Sequence, residues 1–159
     1  MNEMGGMYMA NRVEQTLTEE LFPLLQKERY VTIATTDHET NGPNVTAISW
    51  IFAPTMETIR FAIDNRSRML ANMKAESRIV ISLIANGSTY SISGSATIVT
   101  EKIEAVPLKL ALVEVQIEEV RDVMFYGAKM VTEPQYDKTY DAEAAAKLDR
   151  QVMDALKKA

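Results

Sequence analysis

Between Tyr30 and Phe125 the chain is a succession of β-forming runs separated by short turns, and this pattern restricts its fold more than any other feature. Tyr30 to Thr36 is rich in β-formers, and Asn41-Gly42-Pro43 turns it into Asn44 to Ala53. Pro54 to Glu57 turns the chain again into Thr58 to Asp64, where Ile59, Phe61 and Ile63 alternate with polar or small residues. Arg78 to Ala85 leads through Asn86-Gly87-Ser88, a strong hairpin signal, into Thr89 to Glu101. Gly94 inside that run marks a bulge or a close backbone approach. A last long run covers Leu110 to Phe125. There Val113, Val115 and Ile117 share one face until Val120 breaks the phase, which predicts a bulge or corner near Glu119. Strands joined mainly by hairpins form an antiparallel sheet whose edges need protection. Closure into a small barrel is the economical solution.

Helical patterns flank and interrupt the strands. Thr16-Leu17-Thr18-Glu19 matches a capping box, and Leu17, Leu21, Leu24 and Leu25 follow at helical spacing. Pro23 predicts a break there and the start of a second short helix ending near Arg29. Ser67 to Ser77 reads as a helix with Met69, Leu70 and Met73 inward. Residues 127–140 read as loop. Asp141 caps a final helix over 141–158, with Ala145, Leu148, Val152, Ala155 and Leu156 on one stripe. The 159 residues fit one domain, with residues 1–11 as a loose lead-in.

Composition removes several function classes. There are no cysteines, which excludes disulfides, thiolate nucleophiles and zinc–thiolate sites. The single histidine, His38, lies in a turn-like stretch, so a serine–histidine triad or a multi-histidine metal site cannot be built within one chain. A formal charge of -5 argues against nucleic acid and anionic membranes as partners. No apolar stretch approaches a membrane span. Met1 to Asn11 lacks a basic region followed by an apolar core, so no secretory signal is expected and a cytoplasmic location follows as the default.

One segment suggests a ligand. Arg60, Arg66, Arg68, Lys74 and Arg78 place five of seventeen basic residues in a nineteen-residue window. Ordinary ion pairs with Asp64 and Glu76 would explain charge alone. Position adds more: Arg66, Ser67 and Arg68 sit where a strand gives way to a helix, and first-turn N–H groups lack intrahelical partners. The Ser67 hydroxyl and the Arg68 fork could add charge-assisted bonds to a phosphate.

The run from Tyr30 to Val99 resembles the flavin-binding split-barrel family typified by pyridoxamine 5′-phosphate oxidase. The residues that carry the resemblance are Thr32-Ile33-Ala34-Thr35, Gly42-Pro43, Val45 to Phe52 and Arg60-Phe61-Ala62. Ser67-Arg68-Met69, Ile79 to Leu83 and Ser91-Ile92-Ser93-Gly94 complete it. The resemblance implies a mainly β fold with flanking helices, a six-stranded antiparallel split β-barrel of the flavin mononucleotide (FMN) binding type. It implies that Thr46, Ala47, Ile48 and Ser49 line the isoalloxazine ring. Ala62, Ile63 and Asp64 would contact the ring or ribityl chain, Ser67 and Arg68 would hold the phosphate, and Thr89 would approach the cofactor. The site would lie between two subunits of a homodimer. Met69 stands where the family carries a second basic residue, so one phosphate-neutralising charge is missing. The C-terminal tryptophan and arginine region of true pyridoxamine phosphate oxidases is also missing, and the only tryptophan is Trp50. The expectation is therefore a small FMN-dependent oxidoreductase of the general-stress-protein type, acting on a substrate the sequence does not name. The alternatives are a non-catalytic, stress-associated barrel with weak flavin binding, or a barrel holding haem or a deazaflavin.

Overall fold

A computed structural model describes residues 13–159. The lead-in expected over residues 1–11 lies outside them. The elements are β1 (Val13–Glu14), a 3-10 turn (Phe22–Leu25), β2 (Val31–Thr36), β3 (Pro43–Ile48), β4 (Ile51–Phe52) and β5 (Thr58–Asp64). Then follow α1 (Arg68–Ala75), β6 (Arg78–Ala85), β7 (Ser88–Thr100), β8 (Leu110–Asp122) and α2 (Ala142–Lys158). All pairings are antiparallel. The sheet runs β3-β2-β6-β7-β8-β5-β4, with β1 beside β8. Six strands are long, as expected, and β1 and β4 add two residues each.

The two ends of this sheet, β3 and β4, are neighbours in sequence, so the sheet curls into a split barrel. The Ser49-Trp50 link joins its ends covalently, where strand pairing does not. Backbone bonds anchor the link on both sides: Arg29 N–H donates to the Ser49 carbonyl at 3.0 Å, and Ala62 N–H to the Trp50 carbonyl at 3.1 Å. The continuous strand expected over Asn44 to Ala53 is therefore two strands, because the chain must cross from one sheet edge to the other there.

Period-two alternation sorts the side chains. Ile59, Phe61 and Ile63 of β5 and Val113, Val115 and Ile117 of β8 fill the barrel with Ile33, Ile81 and Ile92. Leu110, Leu112 and Ala62 face the opposite way and take the stripe of α2, chiefly Val152, Met153 and Leu156. The phase of β8 switches where Ser93 pairs with Glu119 and Gly94 with Ile117, leaving Glu118 as the extra residue. Val120 thereby returns to the barrel interior. Gly94 is required at this point, because a Cβ would lie 2.4 Å from the Gln116 carbonyl oxygen.

The first expected helix does not form. Leu21 N–H bonds to the Thr18 hydroxyl at 3.2 Å, whereas the Thr16 hydroxyl turns to the Leu17 carbonyl. Leu17 N–H is taken by the Met56 carbonyl, which holds that segment against the β4–β5 turn. Only a single 3-10 turn follows, with Pro23 at its start. Leu17, Leu21 and Leu25 are nonetheless fully buried as a plug for the barrel. α2 follows expectation, with the Asp141 carboxylate accepting from Ala144 N–H.

Candidate functional site

Ser67 is the N-cap of α1: its backbone is extended and its hydroxyl accepts from Met69 N–H at 3.1 Å. The strand-to-helix turn before it opens onto a cleft of about 450 Å³ beside the sheet edge β3. The cleft is lined by Thr46, Ala47, Ile48, Ser49, Trp50, Ala62, Ile63, Asp64, Ser67, Met69, Lys138 and Tyr140. Nine of the eleven residues that the sequence singled out therefore meet in one cavity. Its size falls in the range of small-molecule pockets, roughly 300–1,000 Å³. Among the described residues β3 ends the sheet and pairs with β2 alone, so alternate backbone N–H and carbonyl groups along it face away from the ladder.

Arg68 and Thr89 stand outside that lining. Arg68 bonds the Asp37 carboxylate through Nε, and Nη2 reaches Glu39 at 2.7 Å. Asp37 is buried and also accepts from the Glu39 and Thr40 N–H groups, at 3.0 and 2.9 Å. The Arg68 hydrogen bond, then the Thr40 N–H, hold the Asp37 carboxyl well below the usual carboxylate range, and Arg68 is held correspondingly high. Thr89 lies at the start of β7, with its hydroxyl directed at Met124.

The rest of the basic window is also ion-paired. Arg66 bonds Asp64, Arg78 bonds Glu76 and Lys74 bonds Glu101. Arg60 lies on the α2 side of the sheet, where it bonds Glu114 and the C-terminal Leu156 carbonyl, both at 2.9 Å. It is a helix clamp, far in role from an anion ligand. His38 donates its N–H to Asn72 Oδ1 at 2.8 Å, and its Nδ1 lies 2.8 Å from the same atom. Among the described residues no group of three His, Cys, Asp or Glu side chains could hold a metal ion, and no helix is long and apolar enough to cross a membrane.

The opposite end of the cleft was not legible in the sequence. Residues 136–140 cross it as a strap, bringing Lys138 and Tyr140 to the wall. Lys138 Nζ bonds Glu28 at 2.7 Å and Asp149 at 3.0 Å, and lies over the rings of Trp50 and Tyr136. Burial pulls against its charge, but the bonds to the two carboxylates outweigh that and raise its pKa. Trp50 donates its indole N–H to Asp149 at 2.9 Å, so it forms part of the pocket wall and is half-buried. Ser49 donates its hydroxyl to Glu28. Burial and then the charge of Glu28 push the Tyr136 phenol up. The sequence marks residues 127–140 as loop, and the two tyrosines in it, Tyr136 and Tyr140, are the local feature that accompanies this strap.

A second, larger cleft of about 600 Å³ contains Glu14, Glu19, Glu20 and Asp122 in its wall and none of the eleven expected cofactor residues. Its four carboxylates suit neither a phosphate nor any other anion.

The family model described as "Pyridoxamine 5'-phosphate oxidase" matches residues 17–124. No curated protein sequence matches the chain. Several solved structures share the fold. An F420 reductase has a TM-score of 0.53 and 18% identity, over 64% of this chain and 95% of its own. General Stress Protein 26 from Bacillus anthracis has 0.51 and 12%, over 62% and 87%. The heme storage protein HutZ from Vibrio cholerae has 0.51 and 16%, over 68% and 96%. At such identities the likeness is one of fold alone.

Proposed function

The chain belongs to the pyridoxamine 5′-phosphate oxidase family, and from that premise we propose that it binds FMN in the cleft beside β3 and serves as a small oxidoreductase. The observation that carries the reading is the convergence of nine expected cofactor residues, drawn from β3, β5 and the start of α1, on one cavity. The donor set fits the group. Backbone groups on the outer edge of β3, which no other strand among the described residues pairs, suit the polar rim of a planar heterocycle, and Trp50 and Tyr140 supply apolar surface. The Ser67 hydroxyl at the start of α1 suits a phosphate, which the positive end of the helix favours.

Flavin, when bound, supplies hydride or electron transfer, and the protein supplies orientation and electrostatics. Thr46 to Ser49 would align the ring, Asp64 would meet the ribityl hydroxyls, and the strap would limit access of water to the ring end. Binding between two subunits of a homodimer, with Thr89 approaching from its strand, completes the reading. The test is titration of the purified protein with FMN, followed by visible absorbance and thermal melting. A perturbed flavin spectrum and a raised Tm are expected; neither change at saturating FMN contradicts the proposal.

A second reading is favoured by one observation: Arg68 is already engaged by Asp37 and Glu39, and Met69 offers no charge. On that reading the barrel is a non-catalytic binding protein with weak flavin affinity. Arg68→Ala separates the two. A drop in FMN affinity of about tenfold follows if Arg68 leaves its partners to contact phosphate; unchanged affinity favours the second reading.

A further inference from the structure

Ser49 stands at the covalent closure of the barrel, and its hydroxyl is committed. A hydroxyl has one proton and two lone pairs, and an ionised carboxylate only accepts. Ser49 gives its proton to Glu28. Glu28 cannot turn away, because Lys138 holds the same oxygen at 2.7 Å and is itself held by Asp149 at 3.0 Å. The Tyr136 phenol lies close enough to this group for Glu28, after burial, to raise its pKa. Ser49 also lines the cleft, so any bond its hydroxyl makes to a ligand there has to use a lone pair. Toward a ligand, Ser49 is therefore an acceptor and cannot donate.

We propose that Glu28 is a positioning residue that fixes Ser49 as a hydrogen-bond acceptor, so that the cleft selects a planar ligand presenting an imide N–H at that point. The inference rests on the FMN reading and deepens it. The isoalloxazine edge carries an N3–H between two carbonyls, and a deazaflavin keeps the same edge. A haem has no N–H on its periphery, so it leaves this acceptor unpaired, a condition that polar sites penalise strongly. Lys138 has a second role here. Its charge is absorbed by two carboxylates, so it locks the strap and Glu28 in place and is not itself free for an anionic ring substituent.

The experiment uses the full chain with FMN and with its N3-methyl derivative. The unaltered protein is expected to bind FMN at least about tenfold more tightly than the methylated form. It should also hold the N3 proton of bound FMN to higher pH than free FMN does. Ser49→Ala should weaken FMN binding about tenfold and return N3–H titration toward that of free flavin. Glu28→Leu should shift the titration in the same direction although Ser49 is still present, whereas Glu28→Gln, which keeps an acceptor oxygen, should restore part of it. Comparison among variants separates this signal from Lys138 and Tyr136, which titrate in the same alkaline region. Equal affinity for the two flavins, or an N3–H position indifferent to Ser49→Ala, overturns the inference and leaves the FMN proposal standing. Failure of the unaltered protein to bind FMN overturns both.

Discussion

On either side of the cleft a cation bridges two carboxylates, Arg68 just outside the lining and Lys138 within it, yet the two bridges are built differently. At the α1 end, Arg68 joins Asp37 and Glu39 across 31 and 29 residues of sequence. Both partners belong to one turn, and Asp37 also collects that turn's backbone N–H groups. At the strap end, Lys138 joins Glu28 and Asp149, the first of them 110 residues away. Three segments meet there, two of them 11 residues apart and the third 110 residues from Lys138. The first end is a rigid turn pinned to a helix. The second is a tie between a strap, a helix and the barrel closure. On the proposed reading, the phosphate would sit near the first and the ring near the second.

That difference can be tested by breaking each end. The largest effect is expected from Asn72→Leu. Asn72 is buried, donates to Thr35 and Asn44, and accepts from His38 N–H. Its loss unpairs several groups of the pinned turn and should cost about 3 kcal/mol in urea unfolding. A loss under about 1 kcal/mol would show that the turn is not pinned through Asn72.

Asp37→Asn comes next, and its signature is in pH. The Asp37 carboxyl is held low in the folded state, so its contribution is complete above the unfolded carboxylate value, about pH 4, and fades as pH falls through the depressed folded value. The stability gap between protein and variant should be constant from neutral pH down to about pH 4 and close only below it. A gap that closes between pH 7 and pH 5 contradicts the assignment.

Lys138→Met breaks the strap end and leaves Glu28 and Asp149 without their shared partner. These groups are only partly buried, so the loss should be about 1–2 kcal/mol. Faster protease cleavage within 134–140 should accompany it, while cleavage within 37–42 stays unchanged. Equal acceleration at both ends would mean that they are not independent. Arg66→Ala should do least. Its side chain is 82% exposed and, among the described residues, bonds Asp64 alone within the same turn, so Tm should not move measurably and FMN affinity should change less than about twofold.

The same contrast explains what the sequence revealed. Alternation located β5 and β6 at their observed bounds, and the phase break at Val120 anticipated the bulge at Glu118. These are local rules, in which each strand states its own inward face. The first helix failed because Leu17, Leu21 and Leu25 repeat at the spacing of buried positions, which a turn and a 3-10 segment satisfy equally well. The break at Ser49-Trp50 was hidden because both halves of that run are β-forming, and only the closure of the sheet requires it. Nine of the residues singled out as cofactor contacts line one cleft, and they come from a motif whose residues lie close together in sequence. Glu28, Lys138 and Asp149 were not, because no local pattern announces an ion pair across such a distance. Arg60 misled for the same reason: its partners, Glu114 and Leu156, come from β8 and α2.

The central claim is that one cleft holds FMN, with its ring beside β3 and its phosphate at the start of α1. A crystal structure of the protein grown with FMN tests it most directly. The account predicts the isoalloxazine along Thr46 to Ser49, with N3 at Ser49 Oγ, and the phosphate at Ser67. Flavin bound elsewhere, or the cleft filled by this chain's own strap while FMN is present at saturating concentration, would contradict it.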